Sequence, residues 1–401
     1  MTHFPGVSSG GSGVTEGFGR TLPVNGPQGT TGWATGGVYI YLPLVDGATG
    51  PYRFENWGTI NSPIWVPIGG GGPAAPANFK NITDGGDFTI NPWQRNVPGL
   101  ASGNQLLQVA GVGPVYFADR FFVGGGSSSA IVQSKVANTT VAGFGTALKV
   151  QRQLGNASLA PINMGQVVET ANSIRAQGQN YTLSLWAASG ASYSGGQLTL
   201  SIVGGTGTDQ SAAAMLNGTW TGQTVLTSSP FTLTSAMTRI SVTAAIPANI
   251  TQLAILATWT PTGSAGVDDS VQFMGVQFES AGMSLFEHHD AEIDNAMAQR
   301  YCVVFPEPAS ARVVQGASVA LNNQEFILDC PVTMRAIPSV TVGPGNWRVA
   351  AGNPYSPTTI AGGPSTLNSI VLTSYKASPI GSAAILAGGG GNGYILISAD
   401  Y

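Results

Sequence analysis

A chain of 401 residues with 15 Lys and Arg against 19 Asp and Glu, and with 56 Gly and 25 Pro, carries 8% charge where an ordinary globular chain carries about a quarter. Its 43% apolar content sets it apart from disordered chains, no Lys/Arg cluster offers a footprint for nucleic acid, and no apolar run approaches the ~18 residues of a membrane span. So sparsely charged a surface is a solubility hazard for a lone chain, and burial in a permanent oligomer would remove it.

Residues Met1 to Arg20 hold no basic stretch leading into an apolar run, so no secretory signal is expected. The first 30 residues lack periodicity and read as an arm that orders only against a partner. Short β-rich runs follow, such as Gly37-Val-Tyr-Ile-Tyr-Leu and Pro63-Ile-Trp-Val-Pro-Ile. Trp33, Tyr39, Tyr41, Tyr52, Phe54, Trp57 and Trp65 crowd this piece, more aromatic surface than a small module can hide in itself. Residues 1–77 are therefore expected to attach to another protein, with Trp33, Tyr52, Trp57 and Trp65 as contacts. Gly69 to Ala77 is a linker by composition.

From Phe79 to about Ser280, short alternating runs separated by Gly, Ser and Asn turns predict an antiparallel sandwich over residues 78–285. Tyr181, Leu183, Leu185 and Ala187 share one face of a strand, as do Leu198, Leu200 and Ile202, and a bulge is expected near Gly275. One helix is expected within residues 286–300, capped by Asp290 and docked through Ile293, Met297 and Arg300/Tyr301. Runs at Tyr301–Phe305, Ser318–Cys330, Ser339–Val342, Ser369–Ser374 and Gly393–Ser398 predict a third, compact β-domain over residues 301–401, with Gly388 to Gly393 as its last tight connection. The fold class is all-β. The two cysteines, Cys302 and Cys330, suit a reducing cytoplasm, where free thiols are expected; a bridge between them is the alternative.

Three signatures resemble a known family. Gly86-Asp-Phe-Thr-Ile-Asn-Pro-Trp-Gln-Arg95 followed by Tyr116-Phe-Ala-Asp-Arg-Phe-Phe122 resembles the opening of a domain found in tail-fibre and virion structural proteins of tailed bacteriophages. Gln277-Phe-Glu279, Phe286-Glu-His-His289 and Ala298-Gln-Arg-Tyr301 resemble the strand and helix that close it. Thr333-Met-Arg-Ala-Ile-Pro-Ser-Val340 and Tyr394-Ile-Leu-Ile-Ser-Ala-Asp400 resemble the C-terminal β-domain of the same proteins. The chain departs from the family in one place: Cys302 follows Gln-Arg-Tyr, where the family's cysteine precedes it. The resemblance implies a galactose-binding-like jelly roll, a helix and a distal β-tip in a homotrimeric virion appendage, made in the host cytoplasm and bound to capsid or tail proteins.

Reactive constellations are sparse. Glu287-His-His-Asp290 tempts a metal, but four consecutive side chains splay from a strand or helix start, so neither metal nor cofactor is expected. A polysaccharide hydrolase needs two carboxylates ~5–10 Å apart. Asp268-Asp269 and Asp84/Asp87 are the close acidic pairs of the β-region, and such pairs before a strand read as turn formers or calcium ligands. Trp186, Trp220 and Trp259 are the candidates for stacking on a host-surface glycan; Trp186 follows inward Leu185, so alternation places it outside the core. The expectation is a non-enzymatic fibre or spike adhesin, with a capsid-bound head fibre or decoration protein and a depolymerase tailspike as the alternatives.

Overall fold

The structure is a computed structural model. It describes residues 80–401 apart from positions 112, 127, 139, 310, 352–355, 358, 376–379, 381 and 401; before residue 80 it describes the backbone of four strands. The chain divides into two compact units, Met1–Lys80 and Asn81–Tyr401.

In the first unit, Val14–Gly19 runs parallel to Trp33–Tyr41, which pairs antiparallel with Tyr52–Asn56; Trp65–Pro67 completes the sheet. Val14–Gly19 was expected as part of an arm. Its six residues show no alternation, and their order comes from pairing with another strand. Trp33, Tyr52 and Trp65 fall within these strands, but their side chains, like Trp57 altogether, lie outside the described residues.

The second unit opens with two six-stranded sheets. One runs Thr224–Thr232, Gln197–Gly205, Gln252–Trp259, Ile162–Val168, Phe122–Gly125, Val115–Tyr116. The other runs Thr238–Ala245, Asn180–Ser189, Ser270–Ser280, Thr146–Arg152, Ile131–Ala137, Gln105–Gln108. Both are antiparallel throughout. Alternation decides which face is buried: Tyr181, Leu183, Leu185 and Ala187 meet Leu198, Leu200 and Ile202 in one core with Phe273, Val276 and Phe278. The register slips beside Gly275, where Ser184 faces Gln277 but Trp186 faces Met274. Gly275 has φ +56°, and a Cβ there would lie 2.6 Å from the Trp186 ring, so the bulge needs glycine on both counts.

The helix spans Ala291–Gln299, shorter than expected. Asp290 sits at the N-cap but its side chain accepts no capping hydrogen bond. The docked face is shifted: Tyr301 is buried as expected, but it is joined by Asp294 and Ala298, while Ile293 is exposed. A buried carboxylate displaces the apolar stripe because His289 Nδ1 lies 2.8 Å from Asp294 Oδ1. Two further helical turns, Thr170–Ser173 and Ala212–Leu216, carry too few residues to show a period.

Beyond the helix, Cys302–Pro306, Tyr394–Ser398 and Ser339–Val342 make a three-stranded sheet. A seven-stranded sheet packs with it around Val303, Phe326, Trp347, Leu372, Leu386 and Ile397. The stretch Ser318–Cys330 is not one strand. Arg312–Ala320 and Asn323–Asp329 form a hairpin whose turn is Leu321-Asn322, with Asn322 at φ +65°. Asparagine tolerates that left-handed conformation better than most residues. Both cysteines are free, Cys302 buried and Cys330 partly so.

Candidate functional site

The three sequence-nominated tryptophans fall in different places. Trp259 is 2% and Trp220 is 4% exposed. Trp259 lies in the sandwich core, 6.1 Å from Phe273 by ring centroids, and Trp220 donates its indole N–H to the Ser211 carbonyl in a small cluster with Met215. Neither offers a ring face to a ligand. Trp186 does project from the outer face, as alternation requires. There it meets its own cover: the Arg239 guanidinium lies over its ring at 4.4 Å, Phe144 at 5.0 Å and Phe286 at 6.3 Å.

Phe286 comes from the segment that follows strand Ser270–Ser280, a strap held down by hydrogen bonds. Arg239 donates to the Ser284 carbonyl (2.6 Å) and to Ser184 Oγ (2.9 Å). Gln277 accepts from the Glu287 backbone N–H (2.7 Å), and Ser284 donates to Glu279 (2.5 Å). The buried polar outer-face residues Gln277 and Glu279 thus spend hydrogen bonds on this strap, and Ser184 accepts from the Arg239 guanidinium that holds it. Phe286 then stacks edge-on to Phe144 (5.0 Å) and His288 (4.9 Å), and His288 Nδ1 lies 2.6 Å from Asp87 Oδ2.

Other residues of the family-like motifs meet on a buried polar clasp between sandwich and C-terminal sheets. Gln94 donates to the Cys302 carbonyl (2.6 Å) and its backbone N–H to Asp119 (2.9 Å). Arg95 pairs with Asp400 and lies 3.8 Å from Asp119. Arg120 stacks on the Tyr301 ring at 3.3 Å from its centroid, reaches Asp84 (3.3 Å) and donates to the Val167 carbonyl (3.1 Å). Tyr301 donates to Glu169 (2.5 Å). Trp93 (φ +49°) and Arg120 (φ +73°) sit in the left-handed region, conformations held only where surroundings impose them. Burial works against the charge on Arg95, but Asp400 and its other neighbours more than offset this and raise its pKa. Burial pushes Asp119 up to about 6, with Arg95 and the Gln94 N–H pulling the other way. It also lifts the Cys302 thiol, so that cysteine stays protonated and inert.

Three of the four acids nominated as possible catalytic pairs are tied to cations, and the fourth, Asp87, is bonded to an imidazole. Asp269 pairs with Arg152 at 2.7 Å, both side chains 0% exposed, and Arg152 also donates to the Gly263, Asn156 and Ser158 carbonyls. Asp268 pairs with Lys149 (2.7 Å), Asp84 with Arg120, and Asp87 with His288. His289 turns to Asp294, so the Glu287-His-His-Asp290 run points its two imidazoles at different carboxylates. The roles of the four acids were hidden in the sequence, because their partners Arg152, Lys149, Arg120 and His288 lie far away along the chain.

No family model and no curated protein matches the chain. Among solved structures it is similar to the enzymatically active domain of bacteriophage CBA120 tailspike protein 4, with 10% identity over 50% of this chain and 21% of that one, at a TM-score of 0.30. It is similar to the N-terminal CBM22-1-CBM22-2 tandem domain of Paenibacillus barcinonensis Xyn10C, with 9% identity over 75% of this chain and 100% of that one, at 0.26. It is also similar to the CBM22-1-GH10 modules of Clostridium thermocellum endo-1,4-beta-D-xylanase 10B, with 14% identity over 44% of this chain and 28% of that one, at 0.26. This chain thus spans about a fifth of the tailspike domain and about a quarter of the xylanase. Likeness at this level carries no argument about ligand or activity.

Proposed function

We propose that the chain is a non-enzymatic structural subunit of a bacteriophage particle, a homotrimeric tail fibre or spike whose distal β-domains contribute to adhesion on the host surface. The observation that carries the reading is the outer face of the seven-stranded sheet. Register places Ala383, Ala317, Glu325, Thr373 and Ala361 in one row across it, with Ile385 and Gln315 on one side and Ile327 and Val371 on the other. Ile327 is 61% exposed and Glu325 is the single ionisable side chain among these nine. A broad sheet face this apolar and this short of charge suits permanent contact with sister subunits.

Two further observations support it. The nominated acids serve as structural ion-pair partners, which suits a scaffold better than a hydrolase. The clasp brings residues from each of the three family-like signatures to one junction, Arg95 and Arg120 from the first, Tyr301 from the second and Asp400 from the third. Adhesion then works through copy number, weak contacts multiplied on one particle.

Light scattering on the purified chain tests the assembly: three copies per particle are expected, and a stable monomer refutes the fibre reading. Removing residues 1–77 should leave a soluble trimer that no longer joins virions. Incorporation of that truncated chain would overturn the attachment role of the first unit.

A further inference from the structure

The Trp186 face is occupied by its own strap, so an adhesive site must lie elsewhere. A cleft of about 670 Å³ lies where the loop between Asn96 and strand Gln105–Gln108 meets Asn392. That volume is within the range of small-molecule sites, about 300–1,000 Å³.

Its walls are built, not incidental. Gly99, at φ +88°, approaches so closely that a Cβ would lie 1.8 Å from the Asn392 carbonyl oxygen. Asn96 and Asn104 clamp the loop across its neck, Asn96 Nδ2 donating to Asn104 Oδ1 (2.7 Å) and the Asn104 N–H to Asn96 Oδ1 (3.1 Å). On the other side, the Glu307 carboxylate accepts from the backbone N–H groups of Gly389 (2.8 Å), Gly393 (3.1 Å) and Asn346 (3.1 Å), which fixes the glycine-rich turn that carries Asn392. A pre-organised site loses less entropy on binding.

The lining has a definite chemistry. No ionisable side chain is among the lining residues, which rules against recognition of phosphate, sulfate or carboxylate. Gln105 and Asn392 line it with exposed side-chain amides that make no hydrogen bond among the described residues, and Ser102 adds a hydroxyl. Pro98, Leu100 and Leu107 supply aliphatic surface, with Leu107 53% exposed. Neutral donors and acceptors beside aliphatic patches match a molecule with hydroxyls on its rim and C–H groups on its faces. We infer that this cleft binds a neutral glycan of the host surface. The inference rests on the adhesion reading and names its site. Without an aromatic platform each contact is weak, which fits a site repeated on many subunits.

The test uses the full-length protein and the double variant Gln105→Ala/Asn392→Ala, whose positions are exposed and outside both cores. Both are applied to an array of neutral, sialylated and sulfated bacterial and plant oligosaccharides, with thermal melting as the folding control. The wild type should bind neutral members only, and the variant should lose about tenfold or more, as expected for two lost hydrogen bonds, with unchanged melting. Wild-type binding confined to charged glycans, no binding at all, or undiminished binding by the variant overturns the cleft assignment. Adsorption of the wild-type protein to host cells is scored in parallel. Adsorption with a failed array result removes the cleft and keeps the adhesion reading, whereas no adsorption removes both.

Discussion

Arg95, in the first family-like motif, forms an ion pair with Asp400, 305 residues later and one residue from the end of the sequence. Both side chains are 8% exposed, so the pair sits in a medium where an abandoned charge is expensive. Arg95→Ala leaves Asp400 and Asp119 facing each other without their cation. It should cost about 3–5 kcal/mol in urea unfolding, the usual penalty for breaking a buried pair. A change within a few tenths of a kcal/mol would show that the clasp does not tie the two parts of the unit together.

Gly275 and Trp186 depend on one another. A Gly275→Ala chain must hold a non-glycine residue at positive φ and push the indole away from the bulge. The expected loss is about 1–3 kcal/mol from the backbone alone. Pairing it with Trp186→Ala should cost less than the two single changes together, because the clash with the indole is removed while the φ strain and the close Phe144 ring, 2.7 Å from the new Cβ, remain. Additive effects in the double-mutant cycle would refute the coupling.

The sandwich was legible because its core strands alternate cleanly. Leu183 and Leu185 inward and Trp186 outward follow from period two alone. Helix docking was misjudged because an apolar count favours Ile293 and Met297, whereas the buried face is chosen by Asp294 and its bond to His289, a polar contact with no hydrophobic period. Strands such as Arg348–Ala351 and Ile360–Ser365 were missed; the second holds two glycines and a proline, and both gain order from neighbours far along the chain. The cover over Trp186 was hidden for a related reason. Sequence can place a ring inside or outside a sheet, but it cannot show that Phe286 and Arg239, from other segments, close over it. The cleft near Gln105 has no aromatic or charged marker and leaves no sequence signal.

Glu307 organises a turn through backbone donors alone. Burial acts to raise its pKa, but the N–H groups of Gly389, Asn346 and Gly393 outweigh it and hold the carboxylate below its ordinary range. Glu307→Gln keeps the shape but removes the charge and puts an NH2, which cannot accept, in place of one oxygen, so one of Gly389 and Gly393 loses its acceptor and the other bonds fall to neutral strength, a loss of about 1–3 kcal/mol. Hydrogen exchange should accelerate at Gly389 and Gly393 while Phe326 and Leu372 in the nearby core stay protected. Unchanged exchange across residues 388–393 would mean that the turn holds without the carboxylate.

The pH dependence of stability has a definite sign. Asp294 raises the His289 pKa above its usual 6.5 against the pull of burial, with Glu287 and Asp84 adding to the effect. A raised histidine contributes stability that is complete below the unfolded value and disappears as pH climbs through the folded one. Asp119, raised to about 6 by burial, acts in the same direction: between its unfolded value and about 6 the folded chain keeps a proton that the unfolded chain has released. Glu307 and Asp268, both lowered, lose their contribution only as pH falls through their folded values, below the ordinary carboxylate range. Melting temperature should therefore peak in mild acid, near pH 5, and decline toward pH 8. His289→Asn should lower the peak and flatten the decline between pH 6 and 8, leaving the acid limb in place. A wild-type profile that rises steadily from pH 5 to 8 would show that neither His289 nor Asp119 titrates as its surroundings require.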